Sequence, residues 1–155
     1  MTANSVLNSP TTTKELAAKV EQFRFVMLDS SGKIKHADGS ALPYGYVRQA
    51  AAPESEGDSR PSNHVEHALP SRVAVTTYQA VVSVAIDPTE TNFSKGNVFK
   101  PGDKVYVGAD GTAATTAKAK GKKKPVGIAE RADHVGRVRV NMFHPSVLVA
   151  DSLGL

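Results

Sequence analysis

Apolar residues in this chain come in short runs broken by Gly, Pro, Asp and Ser, and they recur at every second position more often than at helical intervals. Such spacing belongs to strands joined by tight turns. Residues 23–28 (FRFVML) read as a strand, 29–32 as a turn, 33–37 as the return strand, 38–43 as a loop and 44–49 as a third strand. The strongest strand signal is 72–86 (RVAVTTYQAVVSVAI), yet its phase slips near Tyr78: Val73 and Val75 have one parity, Val82, Val84 and Ile86 the other. A bulge, or a break into two paired strands, accounts for the slip, because a shift of one residue turns every side chain to the opposite face. Residues 136–143 (GRVRVNMF) end the series, with Val138, Val140 and Met142 facing one way and Arg137, Arg139 and Asn141 the other, as in a sheet with one wet face. The segment 13–22 (TKELAAKVEQ) departs from this spacing. Leu16, Val20 and Phe23 stand at helical intervals behind Thr13 as a cap, which predicts a short helix or a single turn of one.

Two stretches follow one plan: apolar strand, Asp-to-Gly turn, small polar strand, Pro-x-Gly, apolar strand, Ala. In 23–51 the anchors are Asp29, Gly32, Pro43, Gly45 and Ala50; in 104–132 they are Asp110, Gly111, Pro125, Gly127 and Ala132. A unit repeated with its turns in register indicates a duplicated β-architecture. The expected fold is mainly β: a small β-barrel or β-sandwich built from two related β-meander halves. The expected organisation is an extended arm and short helix over 1–22, a single β domain over 23–150 that contains both pseudo-repeats, and a tail at 151–155. Within the domain, residues 52–71 hold prolines and acids with few apolar residues and read as a long exposed loop.

The length of 155 residues suits one compact core rather than two ordinary domains. No apolar run is long enough to cross a bilayer, and the first residues have neither a basic start nor an apolar signal core, so no membrane partner or export by that route is expected. The chain has no cysteine, which excludes disulfides, thiolate metal sites and cysteine nucleophiles. Few aromatics, no tryptophan and abundant Ala, Val, Thr and Gly predict a thin core that gains from neighbouring chains.

Charge is uneven. Residues 1–97 carry nine Lys and Arg against ten Asp and Glu, while 98–155 carry ten against five. Much of the excess is Lys118, Lys120, Lys122, Lys123 and Lys124, around Gly121 in the turn before Pro125. Such a tip can meet phosphates or an acidic protein surface, and it is equally an ordinary solvated hairpin end. No aromatics are interleaved with these lysines, which argues against base stacking and makes nucleic acid an unlikely partner. Catalytic signals are absent as motifs: no Gly-x-Ser-x-Gly elbow occurs, and 108–111 (GADG) reads as a hairpin turn rather than a phosphate loop. His64 and His67, flanking Glu66, have a metal-like spacing without a third ligand and read as solvated loop. His144 and Pro145 read as the end of the last strand. The expectation is a non-enzyme with no cofactor and no metal.

The order of these pieces, best seen in FRFVMLDSSGKIKHA, FKPGDKVYVGADGTA, KPVGIAERA and GRVRVNMF, resembles the capsid cement, or head decoration, proteins of tailed bacteriophages over about residues 23–145. The acidic, proline-containing insertion at 52–71 and the lysine cluster depart from that family's pattern. The resemblance implies a structural virion protein, made in the host cytoplasm, that binds the outer surface of an assembled capsid and stabilises it by bridging coat subunits. Its implied partners are the major capsid protein and further copies of itself, a trimer by analogy. Candidate capsid contacts are Ser5, Val6, Leu7, Asn8 and Thr11 of the arm, the five lysines, and Arg137 and Arg139 on the wet face of the last strand. The competing reading is a nucleic-acid-binding β-barrel, supported by the basic second half.

Overall fold

A computed structural model of the chain describes residues 11–41, 43–53, 70–77, 80–121 and 124–143. Ten strands account for nearly all regular structure among them: β1 (Thr11–Glu15), β2 (Arg24–Leu28), β3 (Ile34–His36), β4 (Gly45–Val47), β5 (Arg72–Thr76), β6 (Val81–Ala85), β7 (Lys104–Val107), β8 (Ala113–Ala114), β9 (Gly127–Ala129) and β10 (Arg137–Met142). They form two five-stranded sheets, ordered β1-β5-β4-β2-β3 and β6-β10-β9-β7-β8, with antiparallel pairing throughout. Adding five to each label of the first order produces the second. The duplication is therefore larger than its Asp-Gly and Pro-x-Gly anchors indicate: it covers residues 11–76 and 81–142, and each unit begins with a strand that lies against its own last strand. Even the closing contact is repeated. Leu16 bridges Ile34 and Ile86 bridges Ala113, both parallel, so the outer strands of each sheet are drawn together as in a small barrel.

Two expectations need correction. The segment 13–22 is not a helix. Thr11–Glu15 pairs along its full length with β5, after which Leu16 bridges Ile34 and Val20 bridges Ala51. Leu16 and Val20 are buried in the first unit's core while Ala17, Ala18 and Lys19 are exposed, so two separate bridges reproduce a helix-like interval. The segment 72–86 does break, but β5 and β6 are not paired with each other. One is the last strand of the first unit and the other the first strand of the second. The change of phase therefore falls between the last strand of one repeat and the first strand of the next.

The Pro-x-Gly element recurs because one steric demand recurs. A Cβ on Gly45 would lie 2.5 Å from the Thr76 carbonyl oxygen and 2.8 Å from a Val75 methyl; on Gly127 it would lie 2.3 Å from the Asn141 carbonyl oxygen and 2.8 Å from a Val140 methyl. Only glycine lets the neighbouring strand approach so closely.

Each unit has its own interior. Leu16, Val26, Ile34, Val47, Val73 and Val75 fill the first, with Tyr44 the aromatic ring packed at its edge. Val82, Val84, Val105, Val138, Val140 and Met142 line the second, and Phe99 joins them. The second core also takes in Phe25, Met27, Ala37 and Tyr46 from the first unit. In β2 the run Phe25, Val26, Met27 is buried throughout because Val26 points into its own unit and its neighbours point into the joint. The base of the 52–71 loop is tied by the Ala52 amide, which donates to the Pro70 carbonyl at 3.1 Å. Residues 54–69, with His64, Glu66 and His67, lie outside the described residues, as do His144, Pro145 and the tail.

Candidate functional site

The joint between the units is the best-built feature of the surface. Phe23 takes a left-handed backbone, φ 59°, which is costly for a residue with a side chain. Three contacts hold it there: its carbonyl accepts the Ala85 amide at 2.9 Å, its ring lies 4.4 Å from the Arg137 guanidinium, and it packs on the second core. Next to it, Arg24 Nη1 donates to the Asp110 carbonyl at 3.1 Å. The turn carrying that carbonyl has Asp110 at φ 53° and Gly111 at φ 72°, and a Cβ on Gly111 would meet the Phe25 carbonyl oxygen at 2.2 Å. Tyr46, 1% exposed, donates its hydroxyl to the Ser83 carbonyl, and burial pushes its phenol well above the ordinary range. A groove of about 750 Å³ follows the joint, lined by Phe23, Arg24 and Gln22 on one side and Ile86, Phe93 and Val135 on the other.

Charged side chains around this frame are held by turns more than by ion pairs. Asp29 Oδ1 accepts the Ser31 hydroxyl and the amides of Ser31 and Lys33, and these bonds hold its pKa below 3.8. Burial opposes the charge of Asp87, but the Thr89 amide and hydroxyl and the Ala109 amide outweigh it and hold the carboxyl below 3.8. Near the joint, His36 Nε2 accepts the Glu21 amide at 2.9 Å. Burial first, and the nearby Arg24 charge second, hold His36 below its usual 6.5. A folded pKa lower than the unfolded one means that this stabilisation is complete above pH 6.5 and is lost as pH falls through that value toward the folded pKa. The unfolding midpoint is therefore expected to drop on acidification from about pH 7 to about pH 5, and His36→Gln is expected to flatten that slope in melts across the range.

The lysine cluster is anchored at its base. The Lys120 amide donates to the Val107 carbonyl at 2.8 Å, and Gly121 is set against Gly39 of the first unit so tightly that a Cβ on either would lie 2.2–2.3 Å from the other segment's backbone. Lys118 and Lys124 are half-buried and Lys120 is exposed; Lys122 and Lys123 lie outside the described residues. Of the other candidate contacts, Thr11 opens β1 and is exposed, whereas Ser5, Val6, Leu7 and Asn8 fall outside the described residues. Arg137 is half-buried in the joint under Phe23, so its charge is engaged within the chain. Arg139 is exposed, 3.7 Å from Glu130. Asp29 and Gly32 lie in the β2–β3 turn, Asp110 and Gly111 in the β7–β8 turn, and Pro43 and Pro125 precede the two tight glycines. Among the described residues no group of three His, Asp or Glu side chains is placed to hold a metal ion.

Sequence reasoning misses Val135. It is 76% exposed and takes φ 54° at the tip of a turn that also holds Gly136 at φ 71°. A β-branched residue is strained there. Val135→Asn, which tolerates that conformation, is expected to raise stability by about 1 kcal/mol in denaturant melts.

The chain matches no family model and no curated protein. Among solved structures, the crystal structure of the head fiber gp8.5 N base of bacteriophage phi29 superposes with a TM-score of 0.52 over 85% of this chain and 92% of that one, at 19% sequence identity. The two chains share a fold. The likeness extends across both units.

Proposed function

We propose that this protein is a structural component of a phage virion that binds the outer surface of the assembled head and stabilises it by bridging coat subunits. The observation that carries this reading is the fold shared with a phage head fiber base across 85% of the chain. The architecture suits the task. A bridging protein needs no reactive group; it needs separate faces on a rigid body, so that once one face is bound the next contact is intramolecular and weak affinities multiply. Two fused barrels supply such a body. The first unit presents Thr11 at the exposed start of β1, the strand that follows the arm proposed as one contact. The second presents the exposed row Lys104, Arg139 and Asn141 and the lysine turn, a basic surface able to steer onto an acidic coat.

Cryo-electron microscopy of particles with and without this protein tests the reading. Ordered added density on the shell's outer surface supports it, and saturable binding to empty shells but not to free coat protein adds to that support. No added density, with salt-dependent binding to DNA by the isolated protein instead, would replace it with the nucleic-acid reading. Deleting residues 1–10 is expected to leave the melting temperature unchanged and to weaken shell binding by at least about tenfold, as loss of one of several linked contacts requires. Unchanged binding would remove the arm from the contact.

A further inference from the structure

The joint uses one face of each unit, and because the units are copies of one plan, each also carries the face the other uses. The strand registers identify the counterparts. Val26 lies across from Gly45 and Val105 across from Gly127, so Phe23, Phe25, Met27 and Tyr46 correspond to Gly102, Lys104, Tyr106 and Ile128. On the receiving side Val75 opposite Thr12 matches Val140 opposite Val82, so Ser83, Ala85 and Arg137 correspond to Thr13, Glu15 and Arg72, and Gly111 to Gly32. In the joint both sets are engaged. Their counterparts face solvent: Thr13, Glu15, Arg72, Gly32, Gly102 and Lys104 are all exposed, with Tyr106 and Ile128 half-buried.

We infer that the second unit of one copy docks on the first unit of another through these spare faces, repeating the intrachain joint between chains. Three observations carry the inference. First, the seat is already a groove of about 390 Å³ on the first unit, lined by Glu15, Leu16, Asp29, Ser31, Lys33 and Arg72, at the place equivalent to where the second unit receives Phe23 and Arg24. Second, the inserting turns take a left-handed residue at the same place, Phe23 at φ 59° and Gly102 at φ 88°, and the Glu15 amide is the counterpart of the Ala85 amide that the Phe23 carbonyl accepts. Third, both faces are charged rather than apolar: Lys100, Asp103 and Lys104 stand on the inserting turn, and the seat carries Asp29, Lys33 and the Glu15–Arg72 ion pair at 2.9 Å, so Lys104 has carboxylates within the seat to meet.

The contact between copies is weaker than the one within the chain. Lys104 and Tyr106 replace Phe25 and Met27, and the short connection between β5 and β6 that supplies a high effective concentration inside one chain is missing. It is also heterologous, face to opposite face, so it builds a ring if the rotation closes and a file of copies if it does not. The inference rests on the virion reading only in expecting the contact to form where copies are crowded on a surface.

The absence of cysteine makes the test direct. Glu15→Cys and Lys104→Cys chains, mixed at high concentration without shells, are treated with a short bis-maleimide. Dimers that form in the mixture, in clear excess over Lys104→Cys mixed with Lys95→Cys as an exposed control and over either chain alone, are the expected result. The inference is overturned by yields equal to the control. It is also overturned if the thiol of the Glu15→Cys chain stays unreactive toward a small maleimide at every protein concentration, which would mean that the seat is covered within a single copy. Shell binding is measured separately with the unsubstituted chain, so cross-linking of the variants without shell binding by that chain sinks the virion reading alone, and shell binding without cross-linking sinks this contact alone.

Discussion

Gly127→Ala is expected to destabilise the protein by roughly 3 kcal/mol and to lower its melting temperature by about 6–12 °C, and Gly45→Ala is expected to do the same. In both cases the added methyl enters the space of a neighbouring strand's carbonyl oxygen, at 2.3 Å from Asn141 and 2.5 Å from Thr76, and backbone gives way only if the pairing β9 with β10, or β4 with β5, opens. Gly32→Ala is the control. It lies at φ 82° with nothing within 4 Å of the added methyl, so its cost is conformational only, about 1–2 kcal/mol. If Gly127→Ala costs no more than Gly32→Ala in parallel melts, the strands have room to shift and the steric account of the Pro-x-Gly repeat fails.

That repeat is the part of the fold most legible in the sequence, and the reason is that backbone crowding leaves a residue type no choice. Glycine at 45 and 127, and glycine ending the turns at 32 and 111, are dictated wherever the plan recurs. The strands that open each unit carry no such mark. Thr12 and Val82 are counterparts, as are Lys14 and Val84, because a side chain beside a barrel interior can be a buried valine in one copy and in the other a lysine that stretches over Tyr44, 5.5 Å from its ring. Without shared anchors, the helical spacing of Leu16, Val20 and Phe23 in TKELAAKVEQ and the residue after it stood as the strongest local signal, and pairing of β1 with β5 and the Leu16 and Val20 bridges overrode it. The joint was hidden for a different reason. Its contacts link segments remote in sequence, Phe23 to Arg137 and Tyr46 to Ser83, and within a window Phe23 reads as one more apolar residue starting a strand. What the sequence did show of the joint is the three-residue apolar run Phe25, Val26, Met27, since burial on both faces of one strand implies a second body against it.

Tyr46→Ala is expected to have the largest effect of any single change at the joint, about 3–5 kcal/mol, because it removes the largest wholly buried side chain among the described residues and leaves a void between the units. Tyr46→Phe is expected to cost about 1–3 kcal/mol, the penalty of leaving the Ser83 carbonyl without its donor. The two units do not suffer equally. The first unit's own core is small and wholly aliphatic apart from the flanking Tyr44, while the second retains Phe99 and Met142. A core that thin is marginal by itself. Hydrogen exchange on Tyr46→Ala is therefore expected to show the Ala85 amide, bonded to Phe23 across the joint, losing protection together with the first unit's Ala17 and Tyr44 amides. The Val126 amide, bonded to Val105 inside the second unit, stays protected. Loss at Val126 first would mean that the second unit leans on the first, and would reverse the order in which the two copies of the plan depend on each other.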